Sequence, residues 1–136
     1  MTRRVLDASV ALAWYLPEIF SREAKRWRES LLDGKVYFLA PTLHYWEVGN
    51  VLRTYVRRGE LQQDLALEIY GTHVEAPIEV VEPMKDDLLH IALDYQATAY
   101  DAVYIALSLE HQIPLLTAER TTTPWVVKLG NLADRL

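Results

Sequence analysis

Short apolar runs rich in β-branched and aromatic residues alternate with helical-period segments along this 136-residue chain, and that alternation admits few folds. Strands that are each followed by a helix pair in parallel, because the helix carries the chain back to the starting edge of the sheet. The reading is therefore an α/β domain, a parallel sheet with helices on both faces in three layers. The first such unit is Arg3-Arg4-Val5-Leu6-Asp7-Ala8-Ser9-Val10. Val5 and Leu6 are strand formers, Asp7 and Ser9 are turn and cap formers, and Val10, Leu12, Ala13 and Leu16 recur at helical spacing. A strand is expected over 3–7 and a helix over 8–16, ended or kinked by Pro17.

The rest of the chain repeats the pattern. Ser21 is the expected N-cap of a second helix, Ser21–Leu32, closed by Asp33-Gly34. Val36–Ala40 is a strand bounded by Pro41, and Pro41-Thr42 opens a helix running to about residue 58, where Gly59 stops it. A helix over 61–74, a strand over 78–82 closed by Pro83, and a helix over 85–95 follow. A break at 96–99 leads to a helix over 101–111 and a buried strand over 113–117. Trp125-Val126-Val127 is expected to be a last edge strand. No repeat, low-complexity tract or linker divides the chain, and its length predicts a single domain over 1–136.

Composition narrows the chemistry. The chain has 14 Lys and Arg against 19 Asp and Glu, a net charge of −5. That argues against nucleic-acid binding through bulk charge, but allows local basic patches, metal ions or a basic partner. There are no cysteines, which excludes thiol catalysis, cysteine-held zinc and disulfides and suits a reducing cytoplasm. Arg3-Arg4 precede an apolar stretch broken by Asp7, a poor signal peptide. No run approaches the ~18 apolar residues of a membrane span, so no membrane association is expected.

Four acids stand where surface acids are uncommon. Asp7 ends a buried strand, at the sheet edge where open α/β sheets place their ligands. Glu47 lies in the helical run His44-Tyr45-Trp46-Glu47-Val48-Gly49-Asn50-Val51-Leu52, with Asn50 on the same face. Asp101 opens Asp101-Ala102-Val103-Tyr104-Ile105-Ala106-Leu107, and Glu119 follows the strand Leu115-Leu116-Thr117-Ala118. Each has a plain structural reading as well. Asp7 can cap the first helix, Thr98-Ala99-Tyr100-Asp101 fits a capping box, Glu47 can mark a solvated face, and Glu119 alone says nothing. What lifts the set is joint placement at two strand ends and two helix starts or faces, which a parallel sheet can bring to one edge.

Together, Val-Leu-Asp-Ala-Ser at 5–9, Glu47-Val48-Gly49-Asn50-Val51-Leu52, Tyr100-Asp101-Ala102-Val103-Tyr104-Ile105-Ala106-Leu107 and Leu115-Leu116-Thr117-Ala118-Glu119-Arg120 resemble the successive motifs of PIN domains. They resemble in particular those of the small single-domain VapC toxins of bacterial and archaeal toxin–antitoxin pairs. The resemblance spans essentially the whole chain. It implies a three-layer α/β/α sandwich with a parallel sheet of about five strands. It also implies an Mg²⁺- or Mn²⁺-dependent endoribonuclease that hydrolyses phosphodiester bonds to 5′-phosphate and 3′-hydroxyl products. Asp7, Glu47 and Asp101 match the family's first three metal ligands. Glu119 stands where the fourth, usually the Asp of a Thr-x-Asp pattern, is found, and its longer side chain reaches from further back or through water. Ser9 and Thr117 match small hydroxyl positions beside the site, and Asn50 a polar residue near the second acid.

The resemblance further implies a VapB-type antitoxin partner, which lays a tail into a groove near the first helices and brings an Arg or Lys toward the acids. It also implies a homodimer formed through helix faces. Arg53, Arg57 and Arg58 at the end of the third helix, and Arg120 beside Glu119, are candidate contacts to the RNA backbone; equally, they are solvated charges that suit a helix end. Trp14, Tyr15 and Trp46 have the chemistry to stack on bases but also fit core or partner contact. A haloacid-dehalogenase phosphatase is disfavoured because Asp7-Ala8-Ser9 lacks a second Asp, and a receiver domain because 78–83 offers no phospho-acceptor Asp. No GxGxxG or P-loop occurs. The standing alternative is a non-catalytic PIN-like RNA- or protein-binding module, to which Glu119 lends weight.

Overall fold

The computed structural model describes residues 1–136. Its five strands are β1 (Thr2–Leu6), β2 (Val36–Ala40), β3 (Glu79–Val80), β4 (Leu115–Thr117) and β5 (Ala133–Arg135). They form one sheet in the order β3-β2-β1-β4-β5, and every pairing is parallel. The helices are α1 (Ala8–Tyr15), α2 (Ser21–Leu32), α3 (Leu43–Arg57), α4 (Gln63–Val74), α5 (Leu88–Asp94), α6 (Ala99–His111) and α7 (Pro124–Leu129), with a 3₁₀ turn at Gly130–Leu132. None is long and apolar enough to cross a membrane.

The period-2 alternation of the strands divides the core. Leu6, Phe38 and Leu116 point to one face and pack with buried residues of α1 to α4, among them Val10, Leu12, Ala24, Val48 and Leu52. Val5, Leu39 and Leu115 point to the other and pack with Tyr104, Ile105 and Leu107 of α6 and Trp125, Val126 and Leu129 of α7. The registers Val5↔Leu39, Val5↔Leu115 and Leu6↔Leu116 keep the two sets on opposite faces. This is the expected α/β/α sandwich. Val5 and Leu6 are fully buried, as a central parallel strand requires. Gly49 on α3 allows α4 to lie close, since a Cβ there would meet Tyr70 at 3.2 Å.

The expected boundaries shift in places. Trp125-Val126-Val127 is not the edge strand. It lies in α7, where Thr123 precedes Pro124 at the first helical turn and Trp125, Val126 and Leu129 form one buried stripe. The edge strand is Ala133–Arg135, paired with Leu115–Thr117. Ser21 is the first residue of α2 rather than its cap, and its Oγ accepts from the Glu18 N–H and donates to the Leu16 carbonyl. The expected helix over 85–95 shortens to α5. The strand over 78–82 shortens to β3, and α6 begins at Ala99, two residues early.

Candidate functional site

Strand order places the site. From β1 the chain moves to β2 and β3 on one side, then returns to β4 and β5 on the other. The order reverses between β1 and β4, and the crevice beyond their carboxyl ends is the topological switch point of the sheet. Asp7 leaves β1 there, and its N–H donates to the Leu116 carbonyl of β4 at 3.1 Å. Asp7 occupies the N-cap position of α1, yet its side chain makes no capping hydrogen bond. Its Oδ2 accepts instead from Thr117 Oγ1 at 2.7 Å and Ser9 Oγ at 3.1 Å. Those hydroxyls are held in turn, Thr117 Oγ1 accepting from the Glu119 N–H and Ser9 Oγ from the Ala118 N–H, both at 3.1 Å. The Ser9 and Thr117 positions read from the sequence thus converge on one carboxylate oxygen.

The other acids reach this point from helices and a loop. Glu47 projects from α3, and its Oε1 accepts from the Tyr104 hydroxyl at 2.6 Å. Asp101 sits in the first turn of α6, where its N–H donates to Thr98 Oγ1 at 3.0 Å. The Thr98 cap is therefore real, and it sets the Asp101 backbone while the carboxyl stays half-buried. Glu119 follows β4, with Thr123 Oγ1 donating to its Oε2 at 3.4 Å.

Electrostatics tie the acids together. Burial raises the Asp7 pKa to about 6, with Asp101 adding and the Thr117 and Ser9 hydrogen bonds opposing. Burial also raises Glu47, with the charges of Asp7 and Asp101 adding to it. Asp101 is raised by burial and then by Glu119. Asp7, Glu47 and Asp101 thus each feel at least one other acid. The structure's two salt bridges, Arg4–Asp134 and Lys128–Asp94, involve none of them.

Unpaired carboxylates gathered in a crevice fit a hard divalent cation, which takes oxygen ligands and removes their mutual repulsion. No three of them close into a ready cage for one ion. An ion of the Mg²⁺ type suits such an open set because it usually keeps several waters.

Asn50 is exposed, and its side chain does not bond to Glu47. Arg53, Arg57 and Arg58 are exposed and lie together at the end of α3. Arg53 and Arg57 also line a groove of about 340 Å³ between α3 and α4, with Leu52, Val56, Ala66 and Tyr70. Arg120 is exposed beside Glu119. None of these arginines pairs with the acids. Trp14 is buried in the core, Tyr15 is half-buried, and Trp46 is exposed.

Four residues were not singled out from the sequence: Tyr104 and Thr123, which bond to Glu47 and Glu119, and His44 and His73, which lie behind Tyr104. Spacing held a signal for two of them. His44 lies three residues before Glu47 and Tyr104 three after Asp101, so each shares a helix face with an acid.

A model of the PIN domain family matches residues 4–121. The chain is 32% identical over 120 residues to Ribonuclease VapC3 of Pyrobaculum aerophilum, covering 85% of this chain and 88% of that protein. It is also similar to the crystal structure of PAE2754 from Pyrobaculum aerophilum, with a TM-score of 0.74 over 98% of this chain and 90% of that one. Sequence identity there is 21%, so that likeness bears on the fold alone.

Proposed function

The chain belongs to the PIN domain family, and from that premise we propose that residues 1–136 form one PIN-like domain, a divalent-cation-dependent endoribonuclease acting as the toxin of a toxin–antitoxin pair. The observation that carries this reading is the cluster of mutually coupled carboxylates, free of basic partners, at the switch point of the sheet. The ribonuclease relative supports the choice of RNA.

Asp7, Glu47 and Asp101 would hold Mg²⁺ or Mn²⁺, with Glu119 at the side. Such an ion supplies the Lewis acidity that activates water and steadies the leaving oxygen of an in-line displacement. Asp7 is the anchor, because Ser9 and Thr117 fix one oxygen and leave the other free to ligate. Glu47 and Asp101 come from different helices, α3 and α6, and would complete the oxygen ligand set with Asp7. Arg53, Arg57, Arg58 and Arg120 would meet the RNA backbone, so affinity for RNA should fall with salt. A VapB-type antitoxin would silence the site by bringing a basic side chain to the unpaired acids. A homodimer and a cytoplasmic setting complete the reading.

The test is RNA cleavage by purified protein in Mn²⁺ or Mg²⁺, with chelator and Asp7→Asn as controls. Cleavage should vanish in both. Cleavage that survives Asp7→Asn marks a contaminant and sinks the assignment. RNA bound but uncut by folded, partner-free protein replaces the enzyme with a binding module.

A further inference from the structure

A line of hydrogen bonds, buried at its centre, runs from Tyr15 on α1 to Glu47. Tyr15 Oη lies 2.9 Å from His73 Nδ1, His73 Nε2 lies 2.8 Å from His44 Nε2, and His44 Nδ1 lies 3.5 Å from Tyr104 Oη. Tyr104 Oη then lies 2.6 Å from Glu47 Oε1. His44, His73 and Tyr104 are almost wholly buried. Burial holds both rings well below the ordinary histidine pKa, so both are neutral at pH 7.

Neutral rings allow only one proton on each, and that makes the line directional. The contact between two Nε2 atoms needs one proton, supplied by one ring or the other. An ionised Glu47 only accepts, so Tyr104 donates to it. The Tyr104 oxygen also faces the Ala8 N–H and keeps a second lone pair to accept from Nδ1–H of His44. His44 Nε2 is thereby left bare and accepts from His73 Nε2–H, and His73 Nδ1 accepts from Tyr15. The Leu6 carbonyl, which also only accepts, faces the His44 ring as well. In the reverse arrangement the Tyr104 proton turns to His44 and Glu47 loses its donor. The distances favour the first, 2.6 Å against 3.5 Å.

We infer that Tyr104 is the positioning residue for Glu47, and that the Tyr15–His73–His44 line behind it keeps the Tyr104 proton directed at that carboxylate. The inference rests on Glu47 being a cation ligand, as in the proposed function. Outer partners that orient ligands commonly change metal affinity or activity 10- to 100-fold when removed.

The first experiment is long-range ¹H–¹⁵N NMR of the imidazoles in metal-free wild-type protein at pH 7. The expected tautomers are Nδ1–H for His44 and Nε2–H for His73. The opposite pair, or a doubly protonated ring, overturns the inference.

The second is Mn²⁺ binding without RNA. Tyr104→Phe should weaken binding by about tenfold in the wild-type background and add nothing in the Glu47→Gln background. Equal weakening in both backgrounds, or none in the first, overturns it. If Tyr104→Phe does not fold, the tautomers in the wild type decide alone. Wild-type protein that binds Mn²⁺ but cuts no RNA sinks the nuclease reading and leaves this inference to its own two tests.

Discussion

The Asp7 carboxyl is the most exacting residue in the molecule. It is ringed by two hydroxyl donors, yet burial still lifts its pKa from 3.8 to about 6. A group raised in this way lends stability below its unfolded value of 3.8, and that stability is lost as pH rises through 6. At neutral pH the ionised carboxylate therefore costs on the order of 3 kcal/mol, about 2.2 units at roughly 1.4 kcal/mol each. Asp7→Asn keeps an oxygen for Ser9 and Thr117 and removes the charge. Its thermal midpoint at pH 7, in chelator, should rise by several degrees. A midpoint at or below the wild-type value would show that the charge is not under strain.

At the scale of elements, the same physics runs with the opposite sign. His44 on α3 and His73 on α4 join those helices through one buried hydrogen bond. Both rings are neutral in the fold, His44 lowered by burial and then by His73, His73 by burial and then by Arg28. The unfolded chain takes up protons on these rings as pH falls through 6.5, and the folded chain does not. Stability from the pair is therefore full above 6.5 and is lost progressively below it. Asp7, Glu47 and Asp101, all raised, pull the other way as pH falls, so the histidine contribution is read as a difference between variants. Between pH 7 and pH 5 the metal-free wild type should lose more stability, or gain less, than His73→Gln. Identical shifts of the thermal midpoint in the two proteins would refute a neutral buried pair.

Elements also show where sequence signals reach and where they stop. The strand–helix pairs β1–α1 and β2–α3 are legible because apolar runs end in cap and turn residues at the right spacing. The Thr98 cap is equally plain. β5 is not, since Ala-Asp-Arg carries no strand propensity and becomes a strand only through its pairing with β4. Trp125-Val126-Val127 has strand composition but follows Thr-Pro, and the helical start prevails because it buries Trp125 and Val126 together.

For the whole molecule, the consequential fact is the strand order, which brings residues 7, 47, 101 and 119 to one crevice. A cation that binds the folded site alone stabilises by mass action, about 2.7 kcal/mol at a hundredfold excess over its dissociation constant. Mn²⁺ should therefore raise the wild-type melting temperature and leave that of Asp7→Asn nearly unchanged. An equal rise in both would place the ion elsewhere.

The sequence by itself determined the alternation of strands and helices, the placing of helices on both faces of the sheet, and the acids that end or open particular elements. These follow from periodicity and turn chemistry, which act over a few residues. Tertiary structure alone decided the reversal of strand order between β1 and β4, the Thr117 hydroxyl closing on Asp7, and the histidine line behind Tyr104. Those contacts join residues 29 to 110 positions apart. Whether two such side chains meet depends on how the layers pack, and local spacing carries no record of it.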